Sequence, residues 1–441
     1  MRIHIANGHI LDPASGLDAT GDLWLADSRI QSVLTPPDGF TPDLVIDATN
    51  RLVCPGFIDL CAHFREPGLR HKATIASEAR AASSAGITTV CCPPDTNPVI
   101  DSPAVVELIH QRNEANRQIR LFPLGALTYG LAGERLAEMY SLVQSGCVAV
   151  SNGNQPLRNT EVLRRALEYA ASHEIKVFLY PEDADLRNDG VMHEGAVSTR
   201  LGLPAIPDAA ETVAVAKAIL LIELTGARVH FCRISAARSL LMIAEAKASG
   251  LPITADTGIC HLHLIDEDVD DYNVNCHLIP PLRSRRDRAA LIQAVSDGLI
   301  DAVCSDHQPH DMDAKAAPFS ETEPGASTLE VLFPLLLDLV DQKKLDLRTA
   351  VSCLTNHPAK ILGVESGSLA KGAQADVAII DTRREWLLNE SAIVSAGKNS
   401  PFLGRRLRGK IDYTLLDGRP VYTGGNPVNA AATQDPCRRV T

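Results

Sequence analysis

A chain of 441 residues with 45% hydrophobic and 22% charged side chains is long enough to bury a large core and has the balance of an ordinary globular enzyme. Its formal net charge of −12, carried without a basic block, argues against nucleic acid or an anionic membrane as partner. The opening Met1-Arg2-Ile3-His4-Ile5 reads as a strand with no signal-type apolar stretch, and no apolar run approaches the ~18 residues of a membrane span, so a cytoplasmic protein is expected.

In chain order, residues 3–6, 21–26 and 29–33 read as short strands broken by glycine turns. From residue 52 the rhythm changes. Short apolar runs at 52–60, 87–92, 120–127, 147–150, 176–180, 228–234, 252–255 and 300–304 alternate with longer segments of helical period, the pattern of a (β/α)8 barrel spanning 52–364. The helical reading is strongest at 159–172, where Val162, Leu163, Ala166, Leu167 and Ala170 form a stripe behind Asn159 and Thr160 as caps, with similar stripes at 207–225 and 286–297. Beyond residue 365 strand-like runs return at 375–380 and 413–416, introduced by the glycine turn of Gly367 and Gly372. Segments 1–51 and 365–425 are therefore expected to pair into one composite β-sandwich, leaving 426–441 as a C-terminal tail.

The eleven cysteines include no C-x-x-C pair and sit mostly in apolar runs, as reduced core thiols do. Cys61 and Cys260 stand apart because histidines flank them. Reactive groups of a barrel gather at the C-terminal ends of its strands. There the chain delivers Cys61-Ala62-His63-Phe64-Arg65-Glu66-Pro67-Gly68, Pro94-Asp95-Thr96-Asn97-Pro98, Ser151-Asn152-Gly153-Asn154, Tyr180-Pro181-Glu182-Asp183, Arg233-Ile234-Ser235 and Ser305-Asp306-His307-Gln308-Pro309-His310.

Taken with Pro55-Gly56-Phe57-Ile58-Asp59-Leu60, Asn159-Thr160-Glu161 and Lys398-Asn399-Ser400-Pro401-Phe402, this ordered set resembles the dihydroorotase family of the amidohydrolase superfamily, from residue 1 to about 423. The resemblance implies a zinc centre held by His-x-His, a bridging carboxylate or carboxylated lysine, two further histidines, and an aspartate that is also the general base. Mapped by motif, Cys61 stands at the first histidine, His63 is kept, Gly153 lies in the turn that should supply the bridging carboxylate, Tyr180 and Arg233 replace the other two histidines, and Asp306 remains. Arg65, Asn97 and His310 match a clamp for the substrate carboxylate, while Ile279 stands where the family has an asparagine before Pro-Pro-Leu-Arg.

Zinc takes three or four deprotonated N, S or O donors and leaves a position for water. Glycine offers no donor, tyrosine is a poor one at neutral pH, and arginine cannot ligate. A metal-free, non-catalytic centre is therefore expected, in which the Arg233 guanidinium replaces the cation and pairs with Asp306 while the Tyr180 ring fills vacated volume. The resemblance further implies a structural subunit that accompanies the aspartate carbamoyltransferase catalytic chain in pyrimidine biosynthesis, as a homo- and hetero-oligomer. Two alternatives stay open: a zinc-dependent cyclic amide hydrolase with a mononuclear site on Cys61, His63 and Asp306, and a sensor that binds a carboxylated pyrimidine through Arg65, Asn97 and His310. Arg65 and His310 could equally serve internal hydrogen bonds.

Cys260-His261-Leu262-His263 reads either as ligands or as loop and packing residues. Residues 311–323 form a polar loop placed to act as a lid. Asp266, Glu267, Asp268, Asp270 and Asp271 form an acidic run whose spacing does not fit a calcium loop.

Overall fold

The computed structural model describes residues 1–424 and the backbone of 426–427. Eight parallel strands follow one another in sequence order around a barrel: Phe57–Asp59, Ile87–Cys92, Arg120–Pro123 continued by Gly125–Ala126, Val150–Ser151, Val177–Leu179, Val229–Phe231, Ile253–Gly258 and Ala302–Cys304. The ring closes just past the ends of the first and last strands, where Ala62 bridges His307 in parallel and the His63 N–H donates to the His307 carbonyl at 2.8 Å.

Two boundaries differ from the sequence reading. The apolar run 52–60 is two strands. Leu52–Pro55 pairs antiparallel with residues 377–380 of the end sheet, and only Phe57–Asp59 enters the barrel. Gly56 makes the crossing possible because a Cβ there would stand 2.4 Å from the Thr88 side chain. The end domain thus extends to Pro55. The run 120–127 also divides, at Leu124, because Pro123 has no N–H to continue the ladder; Arg120–Pro123 pairs with the second strand and Gly125–Ala126 with the fourth.

The helices form where the stripes predict. Thr160–Ser172 starts at Asn159, whose side chain accepts from the Glu161 and Val162 N–H groups at 3.0 and 3.4 Å, and it buries Leu163, Ala166, Leu167 and Ala170. Ala209–Thr225 and Arg285–Ser296 follow the other two.

Both chain ends build one nine-stranded sheet around its own core of Ile3, Ile5, Ile10, Leu23, Leu25, Val53, Val377, Ile379 and Leu415. It includes three strands that the glycine rhythm did not disclose, Leu44–Asp47, Leu52–Pro55 and Arg419–Thr423. Residues 388–405, expected in this domain, instead leave the sheet and reach the barrel mouth, where Asn399 joins the eighth-strand turn. The expected tail begins with a two-residue strand, Asn426–Pro427; Gly425 and residues 428–441 lie outside the described residues.

The barrel interior is packed rather than open. Ile58, Leu60, Cys61, Cys91, Phe178, Cys232 and Cys304 fill it, and all ten described cysteines are buried and free. Among the described residues no helix is long and apolar enough to cross a membrane.

Candidate functional site at the barrel mouth

Strand ends bring Cys61, His63, Tyr180, Arg233 and Asp306 together, as the motif mapping placed them. Arg233 is 3% exposed, and its Nη1 lies 3.2 Å from Asp306 Oδ1. Its Cζ stands 4.4 Å from the centroid of the Tyr180 ring, a cation–π stack in a desolvated place. The same guanidinium donates to Asn154 Oδ1 at 2.5 Å and approaches the Gly153 carbonyl at 3.5 Å. Gly153 therefore serves the site through its backbone, at φ +59°.

Asp306 accepts a second hydrogen bond from Gln308 Nε2 at 3.2 Å and a long one from Cys61 Sγ at 3.7 Å. Burial pushes the Cys61 thiol well above its ordinary value, opposed by the Arg233 charge, so the sulfur is a protonated donor. Burial likewise raises the Tyr180 hydroxyl, and Glu182 beside it adds to the effect. The hydroxyl donates to Glu182 Oε1 at 3.0 Å, and Arg187 holds the other carboxylate oxygen at 3.0 Å. Tyr180 packs with Ile206, Ala210 and Ile279. Ile279, in place of the polar residue that the resemblance implies, thus completes an apolar plug.

His63 is buried, with Nδ1 3.1 Å from Asp95 Oδ1, while its Nε2 finds no protein partner. Burial works to raise the Asp95 carboxyl, but His63 and Arg65 hold it down at about 2. Two more buried nitrogens are orphaned near the centre, Arg233 Nε and His261 Nδ1. Such atoms are costly, and they mark where partners have been lost. Three non-glycine residues at strand ends hold positive φ: Arg65 at +60°, Arg233 at +56° and Asp306 at +48°. This strained backbone is of the kind that clusters at functional sites, and it persists here around altered side chains. The Arg233 turn is fixed by its N–H donating to Asp256 Oδ1.

A catalytic zinc ion needs three or four donors converging on one point. Cys61, His63 and Asp306 place one donor atom each within 4.8 Å of one another. The guanidinium, however, already neutralises the carboxylate, and neither Gly153 nor Tyr180 supplies a fourth donor. A fixed cation at 3.2 Å from a ligand oxygen repels a divalent ion strongly in a desolvated site. The residues do not fit a catalytic zinc centre.

The expected clamp is only partly assembled. Arg65 Nη2 lies 3.1 Å from His310 Nε2, and Arg65 Nε donates to the Pro309 carbonyl at 3.1 Å. Lys72 Nζ approaches His310 Nδ1 at 3.3 Å and donates to Glu323 Oε2 at 2.5 Å. Burial, then the Arg65 charge, drives His310 down to about 2, so the ring is neutral. Arg65 is thus held at the Pro309-His310 turn, and His310 also meets the Pro324 carbonyl through Nε2 at 3.0 Å, while Asn97 is exposed on the turn after the second strand.

That loop is pinned over the mouth. Lys315 Nζ donates to the Glu323 carbonyl at 2.6 Å, and His277 stacks on Phe319 at 4.9 Å and meets Thr322 Oγ1 at 2.8 Å. His261 and His263 use their Nε2 atoms on the Pro280 and Leu335 carbonyls, each at 3.1 Å, so this pair is packing rather than a ligand cluster. In the acidic run, Glu267 and Asp270 pair with Arg285 and Arg200, and Asp268 accepts from the Ile265 N–H.

Sequence reasoning missed the polar closure beneath the mouth. Asp59 accepts from the Ser305 hydroxyl and N–H and from the Cys61 N–H. His307 and Glu78, both fully buried, lie 2.8 Å apart. His230 and Asp256, on adjacent strands, bond at 2.9 Å inside the barrel. Inward alternation of His230 with Cys232 and of Thr254 with Asp256 is the signal that could have found the last pair.

Residues 160–421 match the Amidohydrolase family, and residues 50–239 match a family described as Dihydro-orotase-like. A "Dihydroorotase-like protein" of Pseudomonas aeruginosa is 43% identical, covering 96% of this chain and 100% of that protein. The chain belongs to the dihydroorotase-like branch of the amidohydrolase family. A protein named Dihydroorotase from Geobacter sp. strain M21 is 42% identical over 96% of this chain and 100% of its own. Among solved structures, L-hydantoinase (dihydropyrimidinase) from Arthrobacter aurescens superimposes with a TM-score of 0.87 at 20% identity, covering 97% of each chain. That likeness carries the fold, a TIM barrel with a β-sandwich domain.

Proposed function

We propose that this dihydroorotase-like chain is a non-catalytic, metal-free protein that acts in the cytoplasm as a structural subunit for assembly of aspartate carbamoyltransferase in pyrimidine biosynthesis. One observation carries the loss of catalysis: the Arg233 guanidinium lies on Asp306 with the Tyr180 ring beneath it, in the space where ligand side chains would have to converge. Asp306, the candidate general base, is engaged by Arg233, Gln308 and Cys61, which leaves it badly placed to take a proton from water. The apolar plug of Tyr180 and Ile279 and the pinned 311–323 loop support the same reading. The choice of partner follows from the family resemblance.

A second reading has its own support. Relatives named Dihydroorotase reach 42% identity, and Cys61, His63 and Asp306 are near enough to share an ion. On that reading Arg233 must swing away from Asp306, and the chain is a cyclic amide hydrolase. Co-purification from the native host separates the two. Aspartate carbamoyltransferase recovered in fixed stoichiometry, without dihydroorotase turnover in that fraction, is the expected result. Chelator-sensitive dihydroorotase activity would replace it with the second reading. A carboxylated-pyrimidine sensor is disfavoured by the mutual engagement of Arg65 and His310, and calorimetry with orotate should show no binding heat.

A further inference from the structure

Two strands of the end sheet, Val377–Leu387 and Arg406–Leu416, outrun their neighbours. Leu52–Pro55 pairs only with residues 377–380, and Arg419–Thr423 only with 413–416, so 381–387 and 406–411 continue as a two-stranded ribbon. Its inner side is apolar. Gly409 lies against Phe333 and Leu337 of the helix Leu332–Asp341, and Leu407 and the half-buried Trp386 join the same core.

The outer side is basic, on a chain whose net charge is −12. Residues 381–387 and 404–410 carry five arginines and Lys410 against Asp381 and Glu385. Arg405 and Arg408 are paired with Asp338 and Asp341 of the helix, and Asp381 is held by Arg51. Arg383, Arg384 and Arg406 are exposed and have no carboxylate at ion-pair distance among the described residues. Three guanidinium groups thus stay unpaired where acids outnumber bases 54 to 42.

The ribbon also leaves main chain unpaired. The Leu388 N–H donates to the Arg405 carbonyl at 3.0 Å, and Trp386 stands opposite Leu407, so residues 386 and 388 bond across the ribbon. The N–H and C=O groups of Glu385 and Leu387 point the other way, to an edge that no described strand covers. Edges are ordinarily guarded by charge and irregularity. Here the guard is the bend at Arg383 and Arg384, whose N–H groups donate to Asp381 Oδ1 at 3.0 and 3.2 Å. It stops at residue 384, and Leu387 beyond it is 48% exposed.

We propose that this ribbon docks an extended acidic segment of a partner protein, added as a strand beside residues 385–387, with its carboxylates on Arg383, Arg384 and Arg406. Main-chain pairing selects a peptide over other anions, and the free guanidinium groups select its charge. The partner is the aspartate carbamoyltransferase catalytic chain of the preceding reading, on which this assignment rests.

Binding of that enzyme, purified from the same host, to immobilised full-length protein tests the surface. The unaltered chain should bind, less tightly as salt rises. R383E/R384E/R406E should bind about tenfold or more weakly with an unchanged thermal midpoint, since all three side chains are exposed, whereas R383K/R384K/R406K should keep most of the affinity. L387P removes one outward N–H and should weaken binding about tenfold, with a smaller loss in L387A. Unaltered affinity in the glutamate variant overturns the proposal and leaves the complex standing. Absence of binding by the unaltered chain overturns both. A loss in the glutamate variant with none in L387P, together with displacement by heparin, marks a general anion surface and overturns strand addition. If L387P does not fold, the charge variants decide: loss with glutamate and retention with lysine upholds the surface, and equal affinity in both refutes it.

Discussion

Two regions of the barrel mouth, adjacent in space but drawn from distant parts of the sequence, are finished to different standards. Around the first and eighth strands nearly every buried polar group is matched. Asp59 takes three donors from Ser305 and Cys61, Glu78 meets His307, and Asn399 accepts from His310 and Ser327 while donating to the Gln308 and Gly325 carbonyls. At the fourth, fifth and sixth strand ends, where the metal ligands would stand, the chain instead has a glycine, a tyrosine and an arginine. Arg233 Nε is left without a protein partner there, as are His63 Nε2 and His261 Nδ1, which face the same centre from the first and seventh strand ends. The motifs that close the barrel survive whole, whereas of the metal positions only His63 and Asp306 keep the residue that the resemblance implies. Those that changed are the ones whose donors a metal would have used.

If the closure network is structural, breaking it should cost most. Glu78→Ala removes the 2.8 Å partner of the buried His307 Nε2, which keeps only a 3.4 Å contact with the Ser395 hydroxyl, and leaves the Ala396 N–H unpaired. Chemical denaturation should show a loss of about 3–5 kcal/mol. At the altered centre the expected cost is smaller. Arg233→His removes the Asp306 counter-charge but leaves the Gln308 hydrogen bond, so about 2–3 kcal/mol is expected. Removing both charges in R233M/D306L should return most of that loss, because a buried pair is commonly matched by apolar replacements. A double variant no more stable than Arg233→His would show that the pair does more than neutralise itself.

Acid should act chiefly through the histidines around the mouth and lid. Burial holds His263 and His277 down at about 4 and His310 at about 2. Below pH ~6.5 the unfolded chain binds protons that these folded rings refuse, so stability falls as pH drops, by about 1.4 kcal/mol per pH unit for each fully untitrated ring. Asp95, held at about 2, adds to the loss only below pH ~4. Asp59 acts in the opposite sense. Burial raises it to about 6, so its protonated form favours the fold as pH falls from about 6 toward 4. Urea midpoints between pH 7 and 4.5 should decline with a slope set by the histidines, and imidazole resonances of His310 should stay in their neutral positions throughout. The smallest effect is expected from Tyr180→Phe, which removes one hydrogen bond to a carboxylate that keeps Arg187, at about 1 kcal/mol.

The barrel was legible in the sequence because alternation of apolar runs and 3.6-residue stripes is set by burial on either side of each strand and helix. The site was legible for a different reason: ligands lie at strand ends, so motif position alone brings Arg233 to Asp306 and Tyr180. The division at Gly56 was hidden because Leu52–Pro55 and Phe57–Asp59 are equally apolar, one buried in each domain. The 388–405 excursion was hidden because its purpose lies in the Asn399 side chain, which bonds across 89 residues to His310. Pairs such as Glu78 with His307 carry no local pattern, since their partners meet only after the ring has closed.

Zinc content per chain in protein purified from its own host, read beside dihydroorotase turnover of the same sample, bears on the altered centre with the fewest intervening assumptions. An Arg233 guanidinium seated on Asp306 predicts far less than one zinc per chain and no turnover. Zinc near one per chain, with activity lost to a chelator and regained on adding the metal, would contradict it and make Cys61 a ligand.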